Sequence, residues 1–269
     1  MENKINKFEG VANTLFLPLV ARIAISKEFP EYFYDSKALE LEPYLPEGVS
    51  KGSSQYSNIA SVSRYYNMDI MVKEYAHKND ICNVVYLGVG LESAYDRLSN
   101  ELKNVKWYEV DLPEVIETRQ KVFGSRANET LIAGDMFKLE WINDIDTTIP
   151  TLLIISGVFQ YFHEEEVIKF IKDCDNKFDN EEIIFDATSK SGLIYTNWFI
   201  KRTGNKSSLM YFGIDDTKEF ADKCNMKLVE VRTFYKDALV LLKNKVNIIT
   251  KISMKVAEKN KQVLILHLK

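Results

Sequence analysis

The sequence predicts an open α/β sheet, mostly parallel, with helices on both faces. Three observations carry that prediction. From Cys82 onward strand-like apolar runs alternate with segments of helical period. The first of these runs, VVYLGVGLES (Val84–Ser93), passes through Gly88 and Gly90 straight into a helical pattern, and an acid, Asp111, ends the next. Such βαβ alternation favours a parallel sheet whose ligands dock at the carboxyl ends of its strands.

Taken in order, residues 1–80 read as helical. Leu15, Leu19 and Ile23 mark one helix closing at Pro30, Ser36 caps a second reaching about Leu45, and Pro46, Gly48, Gly52 and Ser53 form a loop. A third spans Asn58–His77, with Ile59, Val62, Tyr66 and Ile70 on one face. Strands follow at Asn83–Gly88, Val105–Asp111, Thr130–Ala133, Thr151–Ser156 and Glu182–Ala187. Between them, Ala94, Leu98 and Leu102 stripe a helix over Glu92–Leu102, and Val167, Phe170, Ile171, Cys174 and Phe178 stripe another over Glu164–Phe178. The alternation then stops through Tyr195, Trp198, Phe199, Tyr211 and Phe212, an insertion at about 188–214. Asp215 or Asp216 caps a helix to Cys224, Lys227–Phe234 reads as a strand, and an amphipathic stretch over Leu239–Ala257 leads to a last strand, Gln262–Leu268. The division expected is 1–80, helical, and 81–269, α/β with the insertion, in one structural unit.

Composition sets the class. With 269 residues, 46% hydrophobic and 28% charged, the chain can bury one large core. A net charge of -4 argues against nucleic acid, whose phosphates need a basic face. Cys82, Cys174 and Cys224 are odd in number and widely spaced, which suits neither a disulfide framework nor a zinc site, so a reducing cytoplasm is expected. The apolar segment Val11–Ile25 is broken by Asn13, Thr14, Pro18 and Arg22, a poor signal peptide and too short to span a bilayer.

Gly88 and Gly90 allow a tight turn and close ligand approach, and the helix start beyond them offers free N–H groups. A third glycine or alanine would complete a dinucleotide fingerprint, but Ser93 stands there, which weakens the reading as a nicotinamide-dependent oxidoreductase. Asp111, at the end of the second strand, suits a ribose diol first, with the cap of the turn begun by Leu112, Pro113 and Glu114 as the competing role. Asp135 is either a solvated turn residue or a partner for an exocyclic amine, with Met136 against a purine face. His77, His163 and His267 have no metal-ligand spacing, so no metal is expected. His163 is a candidate general base or a helix cap, and Tyr161 is equally ambiguous.

The blocks GVANTLFLPLVARIAISKEFPEYFYDSKALE, SVSRYYNMD, VVYLGVGLESAYDRL, VKWYEVDLPEVIETR, LIAGDMF and SGVFQYF together resemble the leucine carboxyl methyltransferase-like family of S-adenosylmethionine-dependent enzymes, which includes O-methyltransferases of polyketide biosynthesis. The resemblance implies a class I methyltransferase sheet, Rossmann-like, of seven strands with the last antiparallel, under an N-terminal helical lid. It implies S-adenosylmethionine as cofactor and S-adenosylhomocysteine as product. Carried over by position, Arg64 and Lys27 face the carboxylate of the methionine moiety, Gly88 and Gly90 pack against it, Asp111 holds the ribose, and Asp135 with Met136 contacts adenine. Ser156 stands where the family commonly has an acid, which leaves the contact to the ammonium group open. Tyr195, Trp198, Tyr211 and Phe212 would roof the acceptor pocket, and packing explains them as well. The implied reaction is methyl transfer to a carboxylate or hydroxyl oxygen of a small molecule or, as the lesser choice, a protein carboxyl terminus. His163 or Tyr161 would serve as base only if the acceptor needs one. A non-catalytic member of the fold is the alternative of another class.

Overall fold

Successive side chains of a strand point to opposite faces, and the central strands here are apolar on both, so the sheet has to be covered twice. The computed structural model describes residues 15–49, 53–194, 197 and 209–269. It shows seven strands: β1 (Cys82–Leu87), β2 (Val105–Asp111), β3 (Glu129–Ala133), β4 (Thr151–Ile155), β5 (Glu181–Thr188), β6 (Leu228–Thr233) and β7 (Val263–Leu268). They lie in the order β3-β2-β1-β4-β5-β7-β6. β1 to β5 pair in parallel, while β7 runs antiparallel to both β5 and β6. The strand order reverses between β1 and β4, which opens a crevice at their carboxyl ends. This is the seven-stranded class I sheet that the resemblance implied.

One face carries Val84 and Tyr86 of β1 with Leu152, Ile154, Ile184 and Ile265. It is covered by α1 (Phe16–Glu28), α3 (Gln55–Ala76) and the helix Ile248–Lys259, through Ile25, Ile59, Val62 and Met254. The other carries Val85, Leu87, Leu153, Ile155 and Phe185 under α6 (Glu164–Asp175) and the helix Thr217–Lys223. The N-terminal helices therefore share the sheet's own core, and α3 is one of its covering layers.

Several boundaries move for local reasons. Asp35, not Ser36, caps α2 (Ser36–Leu41), accepting from Ala38 N–H at 2.8 Å, and Pro43 turns the next residues into a 3-10 turn. Ser54 caps α3 three residues earlier than the periodicity suggests. The helix expected over Glu92–Leu102 is only α4 (Ala94–Leu98), because arginines from elsewhere hold the carbonyls of Leu91 and Glu92. The stretch Leu239–Ala257 divides into Lys236–Leu241 and Ile248–Lys259, the latter capped by Asn247.

Among the described residues no helix is long and apolar enough to cross a membrane. All three cysteines are buried and unpaired, and burial pushes the thiols of Cys82 to about 11 and Cys224 to about 12. A thiolate is the reactive species. The native protein is therefore expected to resist an aromatic disulfide reagent at pH 8 and to react at three thiols once denatured. Rapid native labelling would contradict the burial.

Candidate functional site

The site is built on the turn that follows β1. Gly88 (φ 65°) and Gly90 (φ 54°) both occupy the left-handed region that only glycine enters without strain. Gly88 is also steric: a Cβ there would lie 2.6 Å from Val158 Cγ2. The backbone N–H of Gly90 donates to Asp111 Oδ2 at 2.7 Å, and that of Leu112 to Oδ1 at 2.8 Å. Asp111 thus ties the ends of β1 and β2 together while each carboxylate oxygen keeps a second acceptor position. Burial raises its pKa above the ordinary carboxylate value, and the two N–H donors offset that only in part.

The turn is clamped from outside by two buried arginines. Arg119, from α5 (Pro113–Phe123), donates to the carbonyls of Gly90 and Glu92 at 2.8 Å and is paired with Glu109. Arg22, from α1, donates to the Leu91 carbonyl at 2.5 Å and to Asp35 Oδ2 at 2.7 Å. Asp35 accepts in addition from Ser93 Oγ at 2.6 Å and from Arg97 at 3.1 Å. Sequence reading missed these residues because arginine and aspartate carry no periodicity, and their partners are distant in the chain.

A cavity of about 610 Å³ opens beside the turn. Four of the expected nucleoside residues line it together: Gly88, Asp111, Asp135 and Met136. Leu112, Phe137, Val158, Phe162 and Phe170 form an apolar wall, Gly134, Glu166, Lys169 and Asp173 complete the lining, and Phe137 packs on Phe162 with ring centroids 4.4 Å apart. Asp135 also accepts from Phe137 N–H at 3.0 Å, as the cap of a 3-10 turn. A flat, mostly apolar ring with a polar edge matches that lining.

Arg64 lies on the other side, and it is not on a solvated helix face. Its side chain is mostly buried against Gly157, donating to Asp186 Oδ2 at 3.3 Å and to the Tyr65 hydroxyl at 3.3 Å. Its Nε has no partner. Asp186, at the end of β5, also accepts from Gly157 N–H at 2.6 Å and Gln160 Nε2 at 2.5 Å. Together with Ala60, Met210 and Phe234, Arg64, Gln160 and Asp186 line a second cavity of about 250 Å³. Asp186 lies in none of the blocks that carry the resemblance, and Gln160 lies in SGVFQYF with no role assigned to it.

Other expected residues sit elsewhere. Lys27 pairs with Glu42 at 2.5 Å on the surface and lines neither cavity. Ser156 Oγ is buried without a partner beside Gly88. His163 is exposed against the ring of Tyr211 at 4.7 Å. It opens α6, where Glu166 accepts from its backbone N–H at 2.8 Å. Tyr161 is half exposed, and desolvation raises its hydroxyl above the ordinary phenol range, which makes it a donor rather than a base at neutral pH. Phe212 is fully buried among Phe159, Phe185 and Phe220, so it is core and not pocket wall. Tyr211 is half exposed and lines neither cavity, while Tyr195 and Trp198 lie outside the described residues.

Comparison with known proteins follows the same lines. The family model for leucine carboxyl methyltransferase matches residues 20–174. The chain is 22% identical over 182 residues to the tetracenomycin polyketide synthesis O-methyltransferase TcmP of Streptomyces glaucescens, covering 67% of each. Its fold is similar to a DUF574 family protein from Streptomyces avermitilis MA-4680, with a TM-score of 0.61 at 13% identity over 93% of this chain and 96% of that one. It is also similar to the magnesium protoporphyrin IX methyltransferase (ChlM) of Synechocystis PCC 6803 with bound S-adenosylhomocysteine. There the TM-score is 0.50 at 12% identity, over 93% of this chain and 97% of that one.

Proposed function

The chain belongs to the leucine carboxyl methyltransferase family and uses S-adenosylmethionine as methyl donor, and from that premise we propose that it is an O-methyltransferase acting on an acceptor oxygen that is already ionised. Such an oxygen belongs to a carboxylate, or to an acidic phenol or enol of a polyketide-like small molecule. The observation that carries this reading is the make-up of the 250 Å³ cavity. Among the described residues its one carboxylate is Asp186, engaged by Arg64, Gln160 and Gly157, and no described histidine lines it. A site without a spare base suits an acceptor that needs none, as a carboxylate does at neutral pH. The kinship with a polyketide synthesis O-methyltransferase supports a polyketide-like small-molecule acceptor over a protein terminus.

The donor supplies an electrophilic methyl group on a sulfonium. The chain supplies positioning and dryness. In this reading Gly88 lets a ligand lie against the β1 turn, Asp111 takes the ribose hydroxyls, and Asp135 and Met136 take the adenine edge and face. The large cavity would then hold the nucleoside, and Arg64 the carboxylate of the amino-acid end. The acceptor enters the cavity walled by Met210 and Phe234, so that donor and acceptor meet beside Gly88 and Arg64. Alignment in a water-poor site is what accelerates such a displacement. His163 and Tyr161 take no part.

Two measurements test this. Millimolar S-adenosylhomocysteine is expected to raise the melting temperature, as any ligand selective for the native state does. Methyl label transferred from the donor to an acceptor panel is expected on oxygen, released by mild alkali if the product is a carboxyl ester and retained if it is an aryl ether. Label on nitrogen or carbon, or rate loss on replacing His163 comparable to loss of a base, would overturn the proposal.

A further inference from the structure

The last helix, Ile248–Lys259, is apolar on two sides, of which the sheet covers one. Thr250, Met254 and Ala257, spaced four and three apart, are buried beneath it. Ile248, Ile252 and Val256, spaced by four, point the opposite way with Ile249 beside them, and the three isoleucines are 67%, 54% and 75% exposed at 248, 252 and 249. The preceding helix, Lys236–Leu241, packs against this one and adds exposed Val240 and Leu241. A lone exposed aliphatic residue needs no explanation, but such a group on two neighbouring helices marks a surface that something covers.

Charge identifies the cover. Residues 236–261 hold seven lysines against two acids, Asp237 and Glu258, in a chain whose net charge is -4. Glu258 is turned inward, accepting from Thr233 Oγ1 and from Tyr235 N–H. Of the seven lysines only Lys245 has an ion pair among the described residues, with Glu31. The face is therefore aliphatic and strongly positive together. Protein interfaces favour arginine and aromatic side chains and are poor in lysine, whereas this segment has no arginine and no aromatic residue. A second copy would set the same positive charge against itself. An anionic bilayer satisfies both properties, since aliphatic side chains enter the acyl boundary while lysine stems reach the headgroup phosphates.

We propose that this face docks on an anionic phospholipid surface, with the helix Ile248–Lys259 lying in the plane of the interface. Ile248, Ile249, Ile252 and Val256 enter the acyl boundary, and Lys251 and Lys255 meet the headgroups. Docking of this kind needs no spanning helix, and the described residues contain none. It is independent of how the methyl-transfer site is read.

The test is co-sedimentation of the full chain with vesicles of phosphatidylcholine containing about one-third phosphatidylserine, compared with phosphatidylcholine alone. Binding is expected to the mixed vesicles, about tenfold or more weaker to the neutral ones, and to fall in high salt, which screens exposed charges. Ile248→Glu combined with Ile252→Glu is expected to weaken it about 100-fold or more, because two aliphatic anchors are replaced by charges that the lipid repels. Lys251→Gln combined with Lys255→Gln is expected to weaken it about 30-fold, roughly fivefold for each lysine. All four side chains reach solvent, so both variants are expected to keep the melting temperature of the unmodified protein. The lysine pair keeps the test alive if the isoleucine pair does not fold. No binding to the mixed vesicles, or binding that survives either pair of substitutions, overturns the proposal. If vesicle binding is absent, a dimer dispersed by Ile248→Glu with Ile252→Glu gives the face to a second copy, and a complex with polyglutamate gives it to an acidic protein.

Discussion

On the proposed reading, Asp111→Ala is expected to lower the affinity for S-adenosylhomocysteine by about 100-fold or more, because two hydrogen bonds from a ribose diol to a carboxylate, each worth about 1.5–3 kcal/mol, are lost together. The same change removes the acceptor of Gly90 and Leu112 N–H, so stability falls too, by about 1–2 kcal/mol, as for loss of a cap. Calorimetric titration and urea unfolding read the two effects separately. Both uses of the carboxylate fit one geometry, since each oxygen has two acceptor positions and the backbone takes only one. If stability drops while affinity for the nucleoside holds, Asp111 only staples β1 to β2. 5'-Methylthioadenosine, which carries the same ribose but lacks the amino-acid end, is expected to weaken in parallel with S-adenosylhomocysteine.

Asp35→Asn has the largest expected effect on stability, about 3–5 kcal/mol, since it strips buried Arg22 of its ion-pair partner and Arg97 of one of the carboxylates it shares with Asp69 and Glu92. Asp35 caps α2, accepts from Ser93 at the site turn, and pairs with Arg22, which in turn holds the Leu91 carbonyl. Its loss is therefore expected to loosen the turn that carries Gly88, Gly90 and Glu92, and to weaken donor binding along with the fold. A pH signature accompanies it. Burial alone would raise the pKa of Asp35, but Arg22 and Arg97, with the Ser93 hydrogen bond, outweigh burial and lower it from 3.8 to about 2. A carboxyl depressed in the folded state contributes stability above its unfolded pKa and loses it as pH falls through the folded one. The contribution, about 2.5 kcal/mol, is accordingly present above about pH 4 and gone below about pH 2. Urea midpoints measured from pH 5 down to pH 2 should fall more steeply for the unmodified protein than for Asp35→Asn. Parallel slopes would show that the ion pair does not form.

Much of the site was legible in one dimension because it is local. Gly88 and Gly90 are read from the turn they must make, and Asp111 from its place at the end of the next strand. Asp135 and Met136 are read from the same position after β3. Residues joined by long-range contacts were not. Lys27 and Arg64 looked alike as solvated helix cations, and only tertiary packing separates them. α3 presses Arg64 against Gly157 and Asp186, whereas Lys27 meets Glu42 at the surface. Phe212 and Tyr211 are neighbours in an aromatic segment, yet one fills the core and the other is half exposed.

By itself the sequence determined the strand and helix alternation, the glycine turn and its acidic partners, and the family likeness. Each of these depends on backbone conformation and side-chain pattern over a few residues, which composition and spacing encode directly. Only the tertiary structure decided which cations face the site, that Arg22, Arg119 and Asp35 clamp the turn, and that Arg64, Gln160 and Asp186 meet around the smaller cavity. Those facts arise from packing α1 and α3 onto the sheet and α5 beside β2. A buried charge finds its partner through space, with no trace in the spacing along the chain.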